Sequence, residues 1–344
     1  MKSAKIMWKL CLSMLIIYLV FKYFHIYVTE SPIAYSVPDK CQKLPSSIHA
    51  NDEITNEQKQ NIRKSVKECF PHDMTFLVYN NNVSPSSMNF KQGFSITEYI
   101  SSLLSYTGTA ANSISKMNFE KMNLQRDCAI IGNGGILTGS NCGKNINKHD
   151  FVIRSNLAPI ENYEEDVGVK ANITVLNTSI IKQVTNTINQ INGSQGDKFL
   201  RRIRYLNNSI LWYSKDTRVK FKTNNKLLTL IKLLKDKYKL GIRFAYSWKS
   251  VGPLVQWFWD IDVRHPTTGL NMFTVAASLC NSTTLYGFYP FYNDTKGNPL
   301  QYHYYDKRNV NLQAHKTHNM PREYELLKKL NQSGFLSLVT DCGQ

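Results

Sequence analysis

The apolar positions along the chain predict strands that alternate with helices. The run 128–131 has the length and β-branched content of a buried strand, and 209–213 has the same character. Phe151 begins a further apolar run, and 175–181 predicts a strand that leads into a loop. These segments are short enough to be the strands of one buried sheet.

Helical spacing appears between and around these strands. Residues 55–70 carry Ile62, Val66 and Phe70 behind a polar cap sequence, 227–238 are amphipathic, and 271–279 are apolar. Strands that alternate with helices predict an α/β protein whose mostly parallel sheet is flanked by helices. At 344 residues, one large domain with short appendages is the simplest organisation.

The N-terminus has a different pattern. Three lysines, the last of them Lys9, precede an apolar stretch at 10–28 that Lys22 interrupts. Such a stretch spans a bilayer if its lysines extend toward the two faces, with the N-terminus in the cytosol. We predict a cytosolic tail at 1–9, a signal-anchor at 10–28, a proline-containing stem at 29–50 and a lumenal domain at 51–344. A cleaved signal peptide is the alternative.

The chain carries a net charge of +17 at pH 7. Nucleic acid is one partner of strongly basic proteins, but a lumenal domain would not meet it. The basic residues are also scattered, chiefly over 198–204 and 215–239, with no clean basic helix. We therefore expect no nucleic-acid partner, and a surface on which a few cations attract acidic ligands.

A glycine-rich turn follows the strand at 128–131. Gly132, Gly134 and Gly135 allow the backbone to turn sharply against a ligand, and a nucleotide is the ligand this pattern favours over a purely structural turn. Leu137 stands where the dinucleotide fingerprint needs a third glycine, and no lysine-serine pair of a phosphate loop is present. The turn therefore predicts a nucleotide site of another kind.

Four segments, in order, resemble the conserved motifs of the animal sialyltransferases. They are Cys-Ala-Ile-Ile-Gly-Asn-Gly-Gly with the following strand (128–158), Arg-His-Pro-Thr-Thr-Gly-Leu through Tyr-Gly-Phe-Tyr-Pro-Phe (264–291), Tyr-His-Tyr-Tyr-Asp (302–306) and His-Asn-Met-Pro-Arg-Glu-Tyr (318–324). The wording of the third motif, the Asn-Gly-Gly-Ile turn and a cysteine near the C-terminus resemble the α-2,8 branch. The resemblance implies a Rossmann-like, GT-A-like glycosyltransferase fold with a single catalytic domain.

The resemblance also implies the substrates and the residues that bind them. The donor is CMP-sialic acid, the acceptor is a sialylated glycoprotein or glycolipid, and no metal or other cofactor is expected. Transfer inverts the anomeric centre and forms an α-2,8 linkage, and a homodimer is left open. His318 is implied as the general base, and the implied donor-binding residues are Asn133, Asn156, Thr267, Thr268, Gly269, Tyr289, Tyr302 and His303.

Three of these positions can also be judged from local chemistry. Thr267 and Thr268 open a helical run, where exposed N–H groups suit a phosphate or carboxylate, although an ordinary threonine cap explains them equally well. His318 comes just before Pro321, which fits the first turn of a helix, so a surface cap is its alternative role. A position near a helix start lowers the pKa of an imidazole and keeps it neutral, as a base must be.

Seven cysteines suit an oxidising compartment. The resemblance pairs Cys128 with Cys280 and Cys142 with Cys342, and a bridge between the remaining Cys41 and Cys69 is a further prediction.

Glycosylation sequons agree with a secretory route and a Golgi glycoprotein. They begin at Asn82, Asn172, Asn177, Asn192, Asn207, Asn281, Asn293 and Asn331. We expect only a subset to be occupied.

Other functions are compatible with parts of the sequence. Asp260 and Asp262 form the Asp-x-Asp pattern with which many nucleotide-sugar transferases hold Mn²⁺, but they lie in a stretch that the family varies. The motifs also depart from the branch at Ser155, at His265 to Thr267 and at Tyr289. Alternatives are therefore an α-2,3 or α-2,6 sialyltransferase that acts on galactose-ended glycans, or an inactive lumenal protein that binds CMP or sialoglycans.

Overall fold

A computed structural model describes residues 41–44, 54–71, 77–79, 119–120, 122–181, 183, 201–216, 234, 238–247, 251–307 and 318–342. The predicted tail and signal-anchor lie outside these residues, and so does the predicted stem apart from 41–44. No helix within the described ranges is both long and apolar enough to cross a membrane.

One sheet organises the described part of the chain. Its strands are β1 (Leu77–Tyr79), β2 (Phe119–Glu120), β3 (Gln125–Ile131), β4 (Phe151–Ser155), β5 (Ile173–Leu176), β6 (Ile210–Asp216), β7 (Arg243–Ser247), β8 (Cys280–Tyr286) and β9 (Ser337–Val339). They lie side by side in the order β2-β1-β7-β6-β5-β4-β3-β8-β9. From β7 to β9 across the sheet every pairing is parallel, whereas β1 pairs antiparallel with β7 and β2. The predicted α/β class with a mostly parallel sheet is confirmed.

Burial explains why the central strands are continuous apolar runs. Every residue of β4 and of β5 is buried. Strands with this pattern are covered on both faces, as in other parallel sheets. The helices of the described part are α1 (Asn56–Cys69), α2 (Gly143–Lys148), α3 (Glu164–Val167), α4 (Gly252–Phe258), α5 (Thr268–Leu279) and α6 (Met320–Gln332), with a 3-10 turn at Gly135–Leu137.

Helix boundaries follow from side-chain caps. The side chain of Thr55 accepts from the N–H of Gln58, and the side chain of Gln58 accepts from the N–H of Thr55, so α1 begins with a reciprocal capping box. The helix predicted at 55–70 therefore agrees with α1 within one residue. Helix α5 begins at Thr268, three residues before its predicted start, because Thr267 caps it.

One predicted segment is wrong in its second half. Residues 178–181, expected to be a loop after a strand, are helical. The reason is local, since the side chain of Asn177 accepts from the N–H of Ile180 at 2.9 Å and so starts a helical turn directly after β5. The helix predicted at 227–238 lies outside the described residues except for Leu234 and Tyr238.

Three disulfides join distant parts of the chain. Cys128–Cys280 links β3 to the first residue of the neighbouring β8, and Cys142–Cys342 ties the residue before α2 to the segment after β9. Cys41–Cys69 fastens the described part of the predicted stem to the end of α1. These are the three pairings that the sequence analysis gave.

The parallel strands bring their carboxyl ends to one edge of the sheet. β3, β4, β5 and β8 all end at this edge, because neighbouring parallel strands point the same way. Ligand sites of open parallel sheets lie at such edges.

Candidate active site

An asparagine follows each of three neighbouring strands at this edge. Asn156 directly follows β4 and Asn177 directly follows β5, while Asn133 comes two residues after β3. Asn156 has a left-handed backbone with φ of 59°, a conformation that asparagine tolerates better than most residues. Its side-chain oxygen accepts from the N–H of Asn177 at 3.1 Å. The side-chain NH₂ group of Asn156 is therefore the part that can donate to a ligand.

The glycine turn is shaped by the backbone of the next motif. A Cβ on Gly132 or Gly134 would lie 2.6 Å from the carbonyl oxygen of Gly287, and one on Gly135 would overlap the carbonyl of Gln301. The N–H of Gly134 donates to that same Gly287 oxygen at 3.0 Å. Close backbone packing, rather than direct approach of a ligand, thus requires glycine at these positions. Asn133 is the residue of this turn whose side chain can form hydrogen bonds with a ligand.

A cavity of about 800 Å³ opens at this edge. The residues that line it come from all four motifs, and they include every one of the nine predicted base and donor-binding residues. These are Asn133, Asn156, Thr267, Thr268, Gly269, Tyr289, Tyr302, His303 and His318. The fold therefore brings together residues that are up to 185 positions apart in the sequence (318 − 133).

The imidazole of His318 is oriented by a backbone carbonyl. Nδ1 of His318 lies 2.8 Å from the carbonyl oxygen of His265. A carbonyl oxygen only accepts, so Nδ1 carries the proton and, in the neutral ring, Nε2 carries the lone pair. His318 is half-buried in the cavity wall, one residue before Asn319, which caps α6 by accepting from the N–H of Arg322 at 3.2 Å. Nε2 is therefore the ring atom that a neutral His318 would use to accept a proton.

His303 is held from the other side of the cavity. Its Nδ1 donates to the carboxylate of Asp306 at 2.9 Å, and its ring stacks on Tyr305 with 5.0 Å between centroids. The backbone of this motif joins the glycine turn, since the N–H of Tyr304 donates to the carbonyl of Asn133 at 3.1 Å. Because a carboxylate accepts, Nδ1 of His303 carries a proton, and Asp306 fixes the orientation of the ring.

The start of α5 offers backbone donors. Thr268 and Gly269 are its first two residues, so their N–H groups have no partner within the helix and lie at its positive end. Thr267, the residue before them, also lines the cavity. Its hydroxyl accepts from the N–H of Leu270 at 3.1 Å and donates to Glu323, so that it caps α5 and contacts α6.

Glu323 is the cavity residue that the sequence analysis missed. It is 4% exposed, and its two carboxylate oxygens accept from Thr267, one from the N–H at 2.8 Å and the other from the hydroxyl at 2.5 Å. Burial raises the pKa of Glu323 to about 7, although the two hydrogen bonds act in the opposite direction. A signal was present in the sequence: Glu323 shares the buried face of α6 with Leu326, Leu327 and Leu330, where an acid is unexpected.

Aromatic rings close another side of the cavity. Tyr289 packs edge-on against Phe291 and Tyr324, with centroids 4.8 and 5.7 Å away. The Tyr302 hydroxyl lies 3.7 Å from the sulfur of Met320, at the start of α6. Beyond Tyr305, the guanidinium of Arg202 lies 6.0 Å from the ring centroid and adds a cation beside the His303 motif.

The sequence of the chain matches a known family. A model described as glycosyltransferase family 29 (sialyltransferase) matches residues 76–335. The chain belongs to this family. Among its relatives, the alpha-2,8-sialyltransferase 8F of Mus musculus is 33% identical over 222 residues, which make up 61% of this chain and 52% of the relative. The match thus spans about half the length of that curated sialyltransferase.

Solved structures of mammalian sialyltransferases also align with the chain. One is 19% identical, with a TM-score of 0.44 over 79% of this chain and 91% of the other. A second, a complex with Gal-beta-1-3GalNAc-ortho-nitrophenol, is 17% identical, with a TM-score of 0.44 over 91% of this chain and 97% of the other.

The Asp-x-Asp pair lies apart from the cavity of this sialyltransferase-family protein. Asp260 follows α4 and forms an ion pair with Lys43 at 2.6 Å, and neither Asp260 nor Asp262 lines the cavity. Within the described ranges, no three histidine, cysteine or acidic side chains are grouped as metal ligands. This ion pair joins Lys43, in the described part of the predicted stem, to the residues that follow α4.

A buried cation, to which the sequence analysis gave no role, supports one of the strands that end at the cavity. Arg154 of β4 is 5% exposed and donates to the carbonyls of Val167, Gly168 and Lys170 at 2.7 to 2.9 Å. Burial lowers its pKa to about 10. Arg154 therefore anchors the loop after α3 beneath the strand that ends in Ser155 and Asn156, which both line the cavity.

Proposed function

We propose that this protein transfers sialic acid from CMP-sialic acid to a sialylated glycan and forms an α-2,8 linkage with inversion. The observation that supports this most is that nine residues from four motifs line one cavity, in which His318 has its Nε2 lone pair defined by the carbonyl of His265. Membership of the family supports the donor. The printed name of the mouse relative and the wording of the motifs support the linkage.

The proposed chemistry is a single displacement. Nε2 of His318 takes the proton from the acceptor hydroxyl while the hydroxyl oxygen bonds to the anomeric carbon of the donor. The bond from that carbon to the phosphate oxygen breaks, and CMP leaves with the electron pair. CMP is a good leaving group, so the protein mainly positions the reactants and stabilises charge on the phosphate.

We propose the binding roles that the resemblance to the family implies for these residues. Asn133 and Asn156 contact the cytidine monophosphate, Tyr289 forms a wall against it, and Tyr302 with His303 contacts the phosphate. The N–H groups of Thr268 and Gly269 bind a phosphate or carboxylate at the positive end of α5. Arg202, a cation beside Tyr305, adds to the attraction of substrates that carry several negative charges.

No metal takes part in the proposed reaction. Charge on the leaving phosphate is met by an imidazole and by helix N–H groups, which can replace a metal ion in this role. The double variant Asp260→Asn, Asp262→Asn should keep wild-type activity in excess EDTA. A loss of activity that Mn²⁺ restores would contradict metal independence.

We further propose that the protein is a single-pass type II glycoprotein of the Golgi membrane. The basic residues before the apolar stretch at 10–28 support this orientation. Protease treatment of sealed Golgi vesicles should spare the C-terminal domain and remove only the short N-terminal tail. Cross-linking in the same vesicles should tell whether two copies associate.

A panel of acceptors tests the function. The full-length protein, purified in detergent, is incubated with CMP-sialic acid and with glycans that end in sialic acid or in galactose. We expect transfer only to the sialic-acid-ended glycans. Transfer to galactose would instead identify an α-2,3 or α-2,6 enzyme, and binding of CMP without transfer to any acceptor would identify an inactive binding protein.

A further inference from the structure

Two connections join the loop before α5 to the beginning of α6. At one end, Nδ1 of His318 donates to the carbonyl of His265. At the other end, Thr267 donates through its N–H and its hydroxyl to the carboxylate of Glu323. The loop at 265–267 thus contacts both the proposed base, which precedes α6, and a buried acid in the first turn of α6.

Glu323 lies between two helix starts. It is the first residue of α6 whose N–H bonds within the helix, to the carbonyl of Asn319 at 3.1 Å. Its side chain reaches the capping residue of α5, so the carboxylate is near the positive ends of both helices, which favour a negative charge. The side chain of Glu323 is 4% exposed. Each of its carboxylate oxygens accepts a hydrogen bond from Thr267, the capping residue of α5, so this buried acid is fully partnered from the start of the other helix.

The hydroxyl of Thr267 connects Glu323 to the first turn of α5. It accepts from the N–H of Leu270 and donates to Glu323, so a single hydroxyl serves as helix cap and as link to α6. Because the hydrogen of the hydroxyl is directed at Glu323, its lone pairs face the helix start. The two N–H groups proposed to bind the anion, those of Thr268 and Gly269, follow directly along the chain.

We propose that Glu323 is a positioning residue that, through Thr267, fixes the anion-binding start of α5 relative to the base-bearing start of α6. The inference rests on the proposed function, since it assigns to these helix starts an anion site and a general base. A displacement of about 1 Å between reacting groups can cost on the order of a hundredfold in rate. We therefore expect that loss of the two hydrogen bonds between Thr267 and Glu323 lowers kcat more than it lowers the stability of the fold.

A double-mutant cycle tests the link. In the full-length protein, Thr267→Val removes the hydroxyl, and Glu323→Gln keeps the shape of the side chain but removes one acceptor. We expect each single variant to lower kcat by about tenfold or more, and the double variant to be no slower than the slower single variant. Thr267→Ser, which keeps the hydroxyl, should stay within about twofold of wild type, since the same hydrogen bonds can form.

The control is Glu325→Gln, because Glu325 is an exposed acid on the same helix. It should leave kcat unchanged. Effects of Thr267→Val and Glu323→Gln that multiply in the double variant would overturn the proposal. So would variants that only lower the melting temperature while kcat at 25 °C stays at the wild-type value, or a loss in Glu325→Gln as large as in Glu323→Gln.

The test also separates this inference from the proposed function. If the wild-type protein transfers no sialic acid to any acceptor, the proposed function fails. The same four proteins are then compared by their affinity for CMP in calorimetry, where the N–H groups of α5 are expected to meet the phosphate. Non-additive losses of CMP affinity would support the link between Thr267 and Glu323, and additive losses or none would refute it.

Discussion

His318 and His265 are connected by a hydrogen bond of 2.8 Å from the imidazole Nδ1 to the backbone carbonyl. The two residues are 53 positions apart in the sequence, in two different motifs. The bond selects the tautomer in which Nε2 is the basic atom, because the carbonyl can only accept. It therefore defines which ring atom can take a proton from an acceptor hydroxyl.

Removal of this imidazole should stop turnover and leave the donor site intact. His318→Ala is expected to lower kcat by a factor on the order of 10² to 10⁴, the range for a lost general base. Its affinity for CMP, measured by calorimetry, should stay near wild type. Lys328→Ala, at an exposed position on the helix that follows His318, is the control. Near-wild-type transfer by His318→Ala would refute the assignment of the base.

The glycine turn should tolerate no side chain. Gly135→Ala would place a methyl group on the carbonyl of Gln301, so the turn or the facing motif must shift. We expect a loss of stability of several kcal/mol, as for other severe steric overlaps in a packed site. Gly297→Ala is the matched control, since Gly297 has a φ of 87° and no neighbour near the added methyl, and it should cost only about 1 kcal/mol of backbone strain. Thermal unfolding of both variants measures the difference, and equal costs would contradict the packing explanation.

The free energy of unfolding should depend on pH through the carboxyl group of Glu323. Burial raises the pKa of Glu323 from 4.5 to about 7. Between these values the folded state holds a proton that the unfolded state has lost, so this group stabilises the fold below pH 4.5 and loses that contribution as the pH rises to about 7. The stability of Glu323→Gln relative to wild type should therefore increase over this interval and become constant above it. Denaturant unfolding at several pH values measures the trend, and a flat difference would contradict a raised pKa.

Glycan attachment should follow the exposure of the sequons. Asn177 lines the cavity, and its side-chain oxygen already accepts from Ile180, so a glycan there would occupy the site. Asn293 is exposed, in an isolated bridge to Pro299 beside a turn. Glycopeptide mapping of protein from the secretory pathway should find Asn177 unmodified and Asn293 modified. An occupied Asn177 in active protein would contradict the position of the site.

Many features of the site could be predicted from the sequence because they depend on residues that are neighbours along the chain. The strand 128–131, the glycine turn and the asparagines at 133 and 156 are local patterns, and the resemblance of four motifs added the residues that meet in the cavity. The row of asparagines even extends to Asn177, which directly follows β5. The sequence analysis names Asn177 only as the start of a sequon, since none of the four motifs includes it.

The remaining features depend on partners that are distant in sequence. Glu323 and Thr267 are 56 positions apart, and nothing in the local spacing of either residue names the other. Gly132 and Gly134 were explained by a ligand, whereas the atom that excludes a side chain there is the Gly287 oxygen of the neighbouring strand exit. The burial of Arg154 likewise depends on carbonyls from the loop after α3.

The central claim is that the cavity transfers sialic acid to sialic acid with inversion. The most direct measurement is an NMR analysis of the product formed by the full-length protein from ¹³C-labelled CMP-sialic acid and a sialic-acid-ended glycan. We predict one labelled sialic acid joined by an α-2,8 bond, absent when His318→Ala replaces the wild-type protein. A product with another linkage, a retained anomeric configuration, or equal yield from His318→Ala would contradict the account.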